Sequence, residues 1–155
     1  MNFVKKGFTL IELLVVIALI GILSTLVLAN LNSARERSRD VQRKSDLRNI
    51  QTALRIYYND LGGFPDSNAS YAILGCGALG TTACSWGAEW SVGTTVYMSL
   101  LPTDPQPSQS YRYIQTDMDT YALEACLENK SDDKGVVTAD TTWCSSGWKY
   151  VVLQQ

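Results

Sequence analysis

The chain has 155 residues, 13 Lys+Arg against 15 Asp+Glu, four Cys and no His. That length suits one domain with an appendage, and the missing His excludes His-based triads and His–zinc centres. A net charge of −2 argues against a dedicated nucleic-acid binder, which is usually strongly basic. The hydrophobic residues are unevenly spread: from Phe8 to Leu31, 18 of 24 are apolar, and Leu13–Leu31 holds 19 residues without a charge. As a helix that run is roughly 30 Å long, the thickness of a hydrocarbon core, so a single transmembrane helix is expected. A secretory signal peptide fits less well. Its apolar region is about 7–15 residues and ends at small residues, and no such site follows Leu26. Glu12 sits at the membrane-entering end, where an ionised carboxylate costs several kcal/mol unless it snorkels to water or meets a cation.

Lys5-Lys6-Gly7-Phe8-Thr9-Leu10-Ile11-Glu12 resembles the prepilin signature of type IV pilins and type II secretion pseudopilins, and the likeness continues through Leu13–Leu28. The resemblance implies cleavage between Gly7 and Phe8 by a prepilin peptidase, N-methylation of Phe8, and a role for Glu12 in neutralising the Phe8 amine of a neighbouring subunit. It also implies that the helix is first an inner-membrane anchor and later a filament core. Both branches of the family commonly carry a Pro where this chain has Ala29, associated with local unwinding of the helix in filaments.

Past Asn32 the chain is polar but keeps helical habits. Asp40 to Lys44 has the favourable i,i+4 orientation, and Leu47, Ile50, Leu54, Tyr57/Tyr58 and Leu61 form an apolar stripe. Gly62-Gly63 and Pro65 end the helix, which from Phe8 to Leu61 would be about 80 Å long. Arg37, Lys44, Arg48 and Arg55 share a line away from that stripe: a solvated face, a contact with acidic neighbours in a filament, or a site for DNA or lipid headgroups. Residues 35–55 carry +4 and 56–155 carry −7. Six basic residues follow the apolar run by position 48 against Lys5 and Lys6 before it, so the charge count alone leaves the carboxyl-terminal side in the cytoplasm. The cysteines and the resemblance place it outside.

Residues 62–155 hold most of the aromatics and all four Cys. Alternation over Ser110–Gln115 and Tyr121–Glu128, with turns at 117–120 and 131–135, Val136-Val137, and a final strand at Trp148–Leu153, predicts an antiparallel meander against the 47–61 stripe. The fold class is α+β, and by resemblance pilin-like. The expected organisation is a leader at 1–7, the transmembrane and filament-core helix at 8–31, an amphipathic stalk at 32–61 and a head at 62–155. Four Cys allow three connectivities, and the sequence does not choose among them; sequence-local pairing, Cys76 with Cys84 and Cys126 with Cys144, is the expectation, and the rival Cys₄ zinc site lacks any C-x₂-C pair. Trp86, Trp90 and Tyr97 are expected mostly in the core rather than in an exposed aromatic patch.

Leu101-Pro102-Thr103-Asp104-Pro105 followed by Tyr111-Arg112-Tyr113 resembles a segment of the major secretion pseudopilin, which binds calcium through a carboxyl-terminal loop. Asp117, Asp119, Asp132 and Asp133 are the oxygens calcium would draw on, with Asp140 beside them, but their spacing matches no EF-hand and exposed turn aspartates are the commoner case. No other cofactor is implied, and no catalytic constellation is present. The expected role is structural: a bacterial type IV pilus subunit, with a secretion pseudopilin as the alternative and a minor pilin or non-polymerising tethered domain as a third. The implied partners are further copies, other pilins, the peptidase and the assembly machinery. DNA or a host surface would be contacted through exposed loops.

Overall fold

The structure, a computed structural model, describes residues 7–154, with the backbone alone for 26–30. Lys5 and Lys6 lie outside these residues. A single helix, α1, runs Leu10–Leu61 and is unbroken through Ala29. Thr9 caps its start, and Gly62 ends it in the left-handed region (φ 77°), donating its N–H to the Tyr58 carbonyl at 2.8 Å. Among the described residues no helix is long and apolar enough to cross a membrane. The run read as a span, Leu13–Leu31, includes 26–30, whose side chains lie outside the described ones.

The chain forms two compact units, Met1–Glu36 and Arg37–Gln155. In the first, the helix from Leu13 to Leu23 is apolar on every side: Leu13, Ile17, Ile20 and Ile22 are all exposed, as are Leu10 and Ile11 before them. Two hydroxyls fold back on the helix backbone, Ser24 donating to the Ile20 carbonyl and Thr25 to that of Ile22, both at 2.7 Å.

In the second unit the remainder of α1 packs against three antiparallel sheets. The first joins β1 (Asp66–Ser67), β2 (Ile73–Cys76) and β3 (Thr82–Ala83); the second joins β4 (Trp90–Val92) and β5 (Thr95–Met98). The third comprises β6 (Arg112–Asp117), β7 (Thr120–Cys126), β8 (Gly135–Val137) and β9 (Trp148–Gln154) in the order β6-β7-β9-β8. Its order corrects the expected meander. Strand β9 pairs with β7 from Tyr121↔Gln154 to Cys126↔Lys149 and covers the whole ladder, which the three-residue β8 cannot do, so β8 takes the outer edge.

The core is where the stripe meets the sheets. Leu47, Ile50, Ala53, Leu54 and Tyr57 of α1 pack with Phe64, Ile73, Trp90, Leu101, Tyr113, Tyr121, Leu123 and Val152. Trp90 is fully buried and gives its indole N–H to the Gly75 carbonyl at 2.8 Å; Tyr113 gives its hydroxyl to the Pro65 carbonyl at 2.6 Å. Tyr97 is buried too, and Trp86 packs on the core's margin. The stripe stops a turn early: Leu61 is 53% exposed, because the chain turns away at Gly62 directly after it.

Candidate functional site

Two places in the chain gather chemistry. At the start of α1, Gly7 and Phe8 are exposed, and Phe8 retains 87% of its surface. Thr9 and Glu12 form a capping box. The Thr9 N–H and hydroxyl both donate to Glu12 Oε2, at 2.8 and 2.6 Å, and the Glu12 N–H donates to Thr9 Oγ1 at 3.3 Å. The spacing Thr-x-x-Glu before an apolar run was the available signal for this pairing. The cap places the carboxylate at the amino end of the helix, where the dipole favours negative charge.

The second place went unread in the sequence. Arg43 is fully buried at the centre of a carboxylate cluster. Its Nε and Nη2 donate to Asp104 Oδ2 and Oδ1, each at 2.8 Å; Nη1 donates to Asp40 at 2.8 Å and to Glu128 at 2.7 Å. Arg39 also pairs with Glu128. Asp40 in turn accepts the backbone N–H groups of Glu128 and Asn129, at 3.0 and 2.8 Å. This corrects the Asp40–Lys44 expectation. Asp40 faces inward to satisfy buried backbone donors, and Lys44 pairs with Asp132 instead.

Burial opposes the Arg43 charge, but the hydrogen bonds and charges of Asp104, Asp40 and Glu128 prevail and hold its pKa above the ordinary arginine value. The hydrogen bond from Arg39 is the chief reason Glu128 titrates below the usual range. Burial raises Asp46, against the hydrogen bond it accepts from the Tyr111 hydroxyl at 2.7 Å. The cluster thus fastens three segments to α1: residues 101–105, the Tyr111 approach to β6, and the 128–132 turn.

The four cysteines form two disulfides, Cys76–Cys84 and Cys126–Cys144. The first closes the β2–β3 connection; the second draws the 127–143 loop back onto β7. That loop is fixed again by Arg112, whose guanidinium lies 4.2 Å from the ring centres of both Tyr71 and Trp143 and donates to Asp140 at 2.8 Å. Hydrogen bonds from Thr142 and Arg112 hold Asp140 well below the usual carboxylate range.

The aspartates considered for calcium are dispersed among other partners. Asp117 accepts the Asp119 N–H at 2.9 Å, Asp119 accepts the Tyr58 hydroxyl at 2.6 Å, and Asp132 is engaged by Lys44 and the Lys134 N–H. Asp133 is exposed on the same turn as Asp132. Among the described residues no group of three or more His, Cys, Asp or Glu is placed to hold a metal ion. Of the basic line, Arg37, Arg48 and Arg55 are exposed, whereas Lys44 is drawn into its ion pair.

Residues 3–28 match the prokaryotic N-terminal methylation motif. The chain is 31% identical over 102 residues to the type II secretion system core protein G of Escherichia coli, covering 65% of this chain and 66% of that protein. It is 32% identical over 101 residues to the protein of the same name from Aeromonas hydrophila, covering 65% and 67%. It is 39% identical over 70 residues to the type IV wide pilus major component PilA4 of Thermus thermophilus, covering 45% and 53%. The chain therefore spans just under two thirds of the Escherichia coli relative's length. No solved structure matches it. With a methylation motif at the helix start and relatives on both branches, the chain belongs to the type IV pilin and type II secretion pseudopilin family.

Proposed function

We propose that this protein is a structural subunit of a type IV pilus, cut between Gly7 and Phe8, methylated on Phe8 and polymerised through α1. The observation that carries this reading is the first half of the helix. From Leu13 to Leu23 its residues are apolar and exposed on every side, with the single carboxylate of Glu12 at its start. Such a surface needs lipid first and sister helices afterwards. In the membrane the Thr9 cap lowers the cost of the Glu12 carboxylate, and in the filament the cationic Phe8 amine of a neighbour would complete its neutralisation. A head-to-tail contact of this kind does not close on itself and so propagates as a filament. The role is structural, with no chemistry performed by the chain.

On this reading the chain spans the inner membrane before assembly, with 32–61 as stalk and 62–155 as head outside the cytoplasm. Two disulfides suit an oxidising compartment. The peptidase, the assembly machinery and other pilins are its partners. The second reading, a pseudopilin in a short periplasmic filament, is favoured by relatives named type II secretion core protein G that match over about 100 residues, against 70 for the wide-pilus relative.

The test is the intact mass of the protein in filaments sheared from its native cells. The expected species starts at Phe8, carries one methyl and lacks four hydrogens for two disulfides. Abundance in that fraction supports the pilus; the same mass found only in membranes supports the pseudopilin. A mass retaining Met1–Gly7 overturns both. Glu12→Ala is expected to block assembly while membrane insertion and disulfides persist, and assembly at wild-type level would remove the ion-pair role.

A further inference from the structure

The geometry points to Asn68 as an acceptor for an N-linked glycan, transferred from a polyprenyl-diphosphate-linked oligosaccharide. The inference rests on the reading that the head leaves the cytoplasm. Asn68-Ala69-Ser70 has the Asn-x-Ser pattern of such acceptors, which occupy surface turns in exported proteins. It lies in the turn between β1 and β2, where Ala69 and Ser70 are exposed and Asp66, two residues before Asn68, presents an exposed carboxylate.

The turn fixes the amide in a particular way. Asn68 Oδ1 accepts two backbone N–H groups, from Ser70 and from Ala72, each at 2.9 Å. The main chain closes around it: Tyr71 N–H donates to the Asn68 carbonyl at 2.9 Å, and Asn68 N–H donates to that of Ala72 at 3.1 Å. Tyr71 itself takes a left-handed φ of 60° and stacks on Arg112, which ties the turn to β6. The acceptor side of the amide is thus saturated. Nδ2 makes no hydrogen bond among the described residues and is not enclosed.

That division matters chemically. An amide nitrogen is a poor nucleophile because its lone pair is delocalised onto oxygen. Two donors on Oδ1 stabilise the negative charge that collects there when Nδ2 loses a proton, so they ease the step in which nitrogen attacks. In the transfer, Nδ2 bonds to the anomeric carbon of the first sugar and the bond from that carbon to the diphosphate oxygen breaks. The polyprenyl diphosphate leaves with the electron pair, and one amide proton passes to a base of the transferase. Nothing is oxidised or reduced.

A second Asn-x-Ser, Asn129-Lys130-Ser131, serves as an internal comparison. There Oδ1 takes only the Ser131 N–H, at 3.2 Å, and the Asn129 backbone is committed to Asp40 within the Arg43 cluster. Asn68 is the better displayed of the two.

The experiment is glycopeptide mass spectrometry of the full chain purified from its native cells, alongside Asn68→Gln, Ser70→Ala and Ser70→Thr. The expected result is a saccharide increment on the peptide holding Asn68, absent in the first two variants and retained in Ser70→Thr. The Thr variant keeps the hydroxyl and the backbone donor, so its modification also reports a folded turn. A bare Asn68 on chains that begin at methylated Phe8 overturns the glycan site while the filament reading stands. An increment at Asn129 or on a hydroxyl side chain alone also overturns it. Bare Asn68 on chains retaining Met1–Gly7 overturns both readings.

Discussion

Arg43 and Asp104 lie 61 residues apart and meet through two parallel hydrogen bonds of 2.8 Å, with both side chains fully buried. This two-pronged contact is the geometry at which guanidinium and carboxylate are strongest. Its value lies in registration as much as in stability. Replacing a whole buried pair by apolar groups is often neutral, whereas removing one partner strands a charge. Arg43→Ala would strand Asp40, Asp104 and part of Glu128 at once. The expected loss is about 3–5 kcal/mol, read as a lowered midpoint in urea denaturation of the full chain in detergent. Asp104→Asn, which keeps one acceptor, should cost less. Equal losses for the two variants would show that the Asp104 charge, and not the number of partners left stranded, is what the cluster depends on.

Acid should loosen the same cluster. The pKa of Glu128 is lowered from its ordinary 4.5 chiefly by the Arg39 hydrogen bond. Asp132 is lowered from 3.8: burial pushes it up, but the hydrogen bonds from Lys44 and the Lys134 N–H and the charges of both lysines together outweigh it. A carboxylate with a depressed folded-state pKa adds stability that is present above its unfolded value and is lost as pH falls through the folded one. Asp46, raised by burial, works in the opposite sense and is relieved as pH falls. The thermal midpoint should therefore hold from neutrality to about pH 5 and drop below about pH 4, where the depressed groups protonate. In Glu128→Gln that drop should be shallower.

How much of this was visible in the sequence depended on range. Contacts within one turn were legible: the apolar spacing of Leu47, Ile50, Leu54 and Tyr57 marked the buried face, and Gly62 marked the helix end. Strands β6, β7 and β9 run six or seven residues, long enough to declare themselves. Strands β1 to β5 have two to four residues each, below the length at which alternation differs from chance. The Arg43 cluster was hidden for another reason. On a helix, charge reads as exposure, and two of the three carboxylates that neutralise Arg43 come from 104 and 128, which no local pattern links to it. The order β7-β9-β8 failed similarly, because strand length decided it over chain order.

The two disulfides should differ in weight. Cys126–Cys144 closes a loop of sequence separation 18 and Cys76–Cys84 one of 8. Loop-closure entropy gives about 3.2 and about 2.6 kcal/mol respectively. Cys126→Ser/Cys144→Ser should lower the midpoint further than Cys76→Ser/Cys84→Ser, and by more than entropy alone. It also releases the loop that Arg112 and Trp143 hold against β6. Thermal denaturation of the two variants side by side reads the order, and a reversed order would show that the β2–β3 connection matters more to the core.

Gly135 tests the packing of the sheet's outer edge. It begins β8 opposite Tyr150, and the Trp148 indole lies over it so closely that an added Cβ would fall 1.8 Å from Nε1 and 2.3 Å from Cδ1. No rotamer adjustment of a few tenths of an ångström absorbs such an overlap, so the ring or the strand must move. Gly135→Ala should cost about 1–3 kcal/mol, and the loss should appear locally, as faster amide exchange at Val136 and Val137 with β6–β7 unchanged. Trp148→Ala in the same chain removes the clash. In the double variant, Gly135→Ala should therefore become nearly neutral, a coupling that double-mutant analysis reads directly. If Gly135→Ala stays as costly without the indole, glycine is needed there for its backbone and not for the room it leaves.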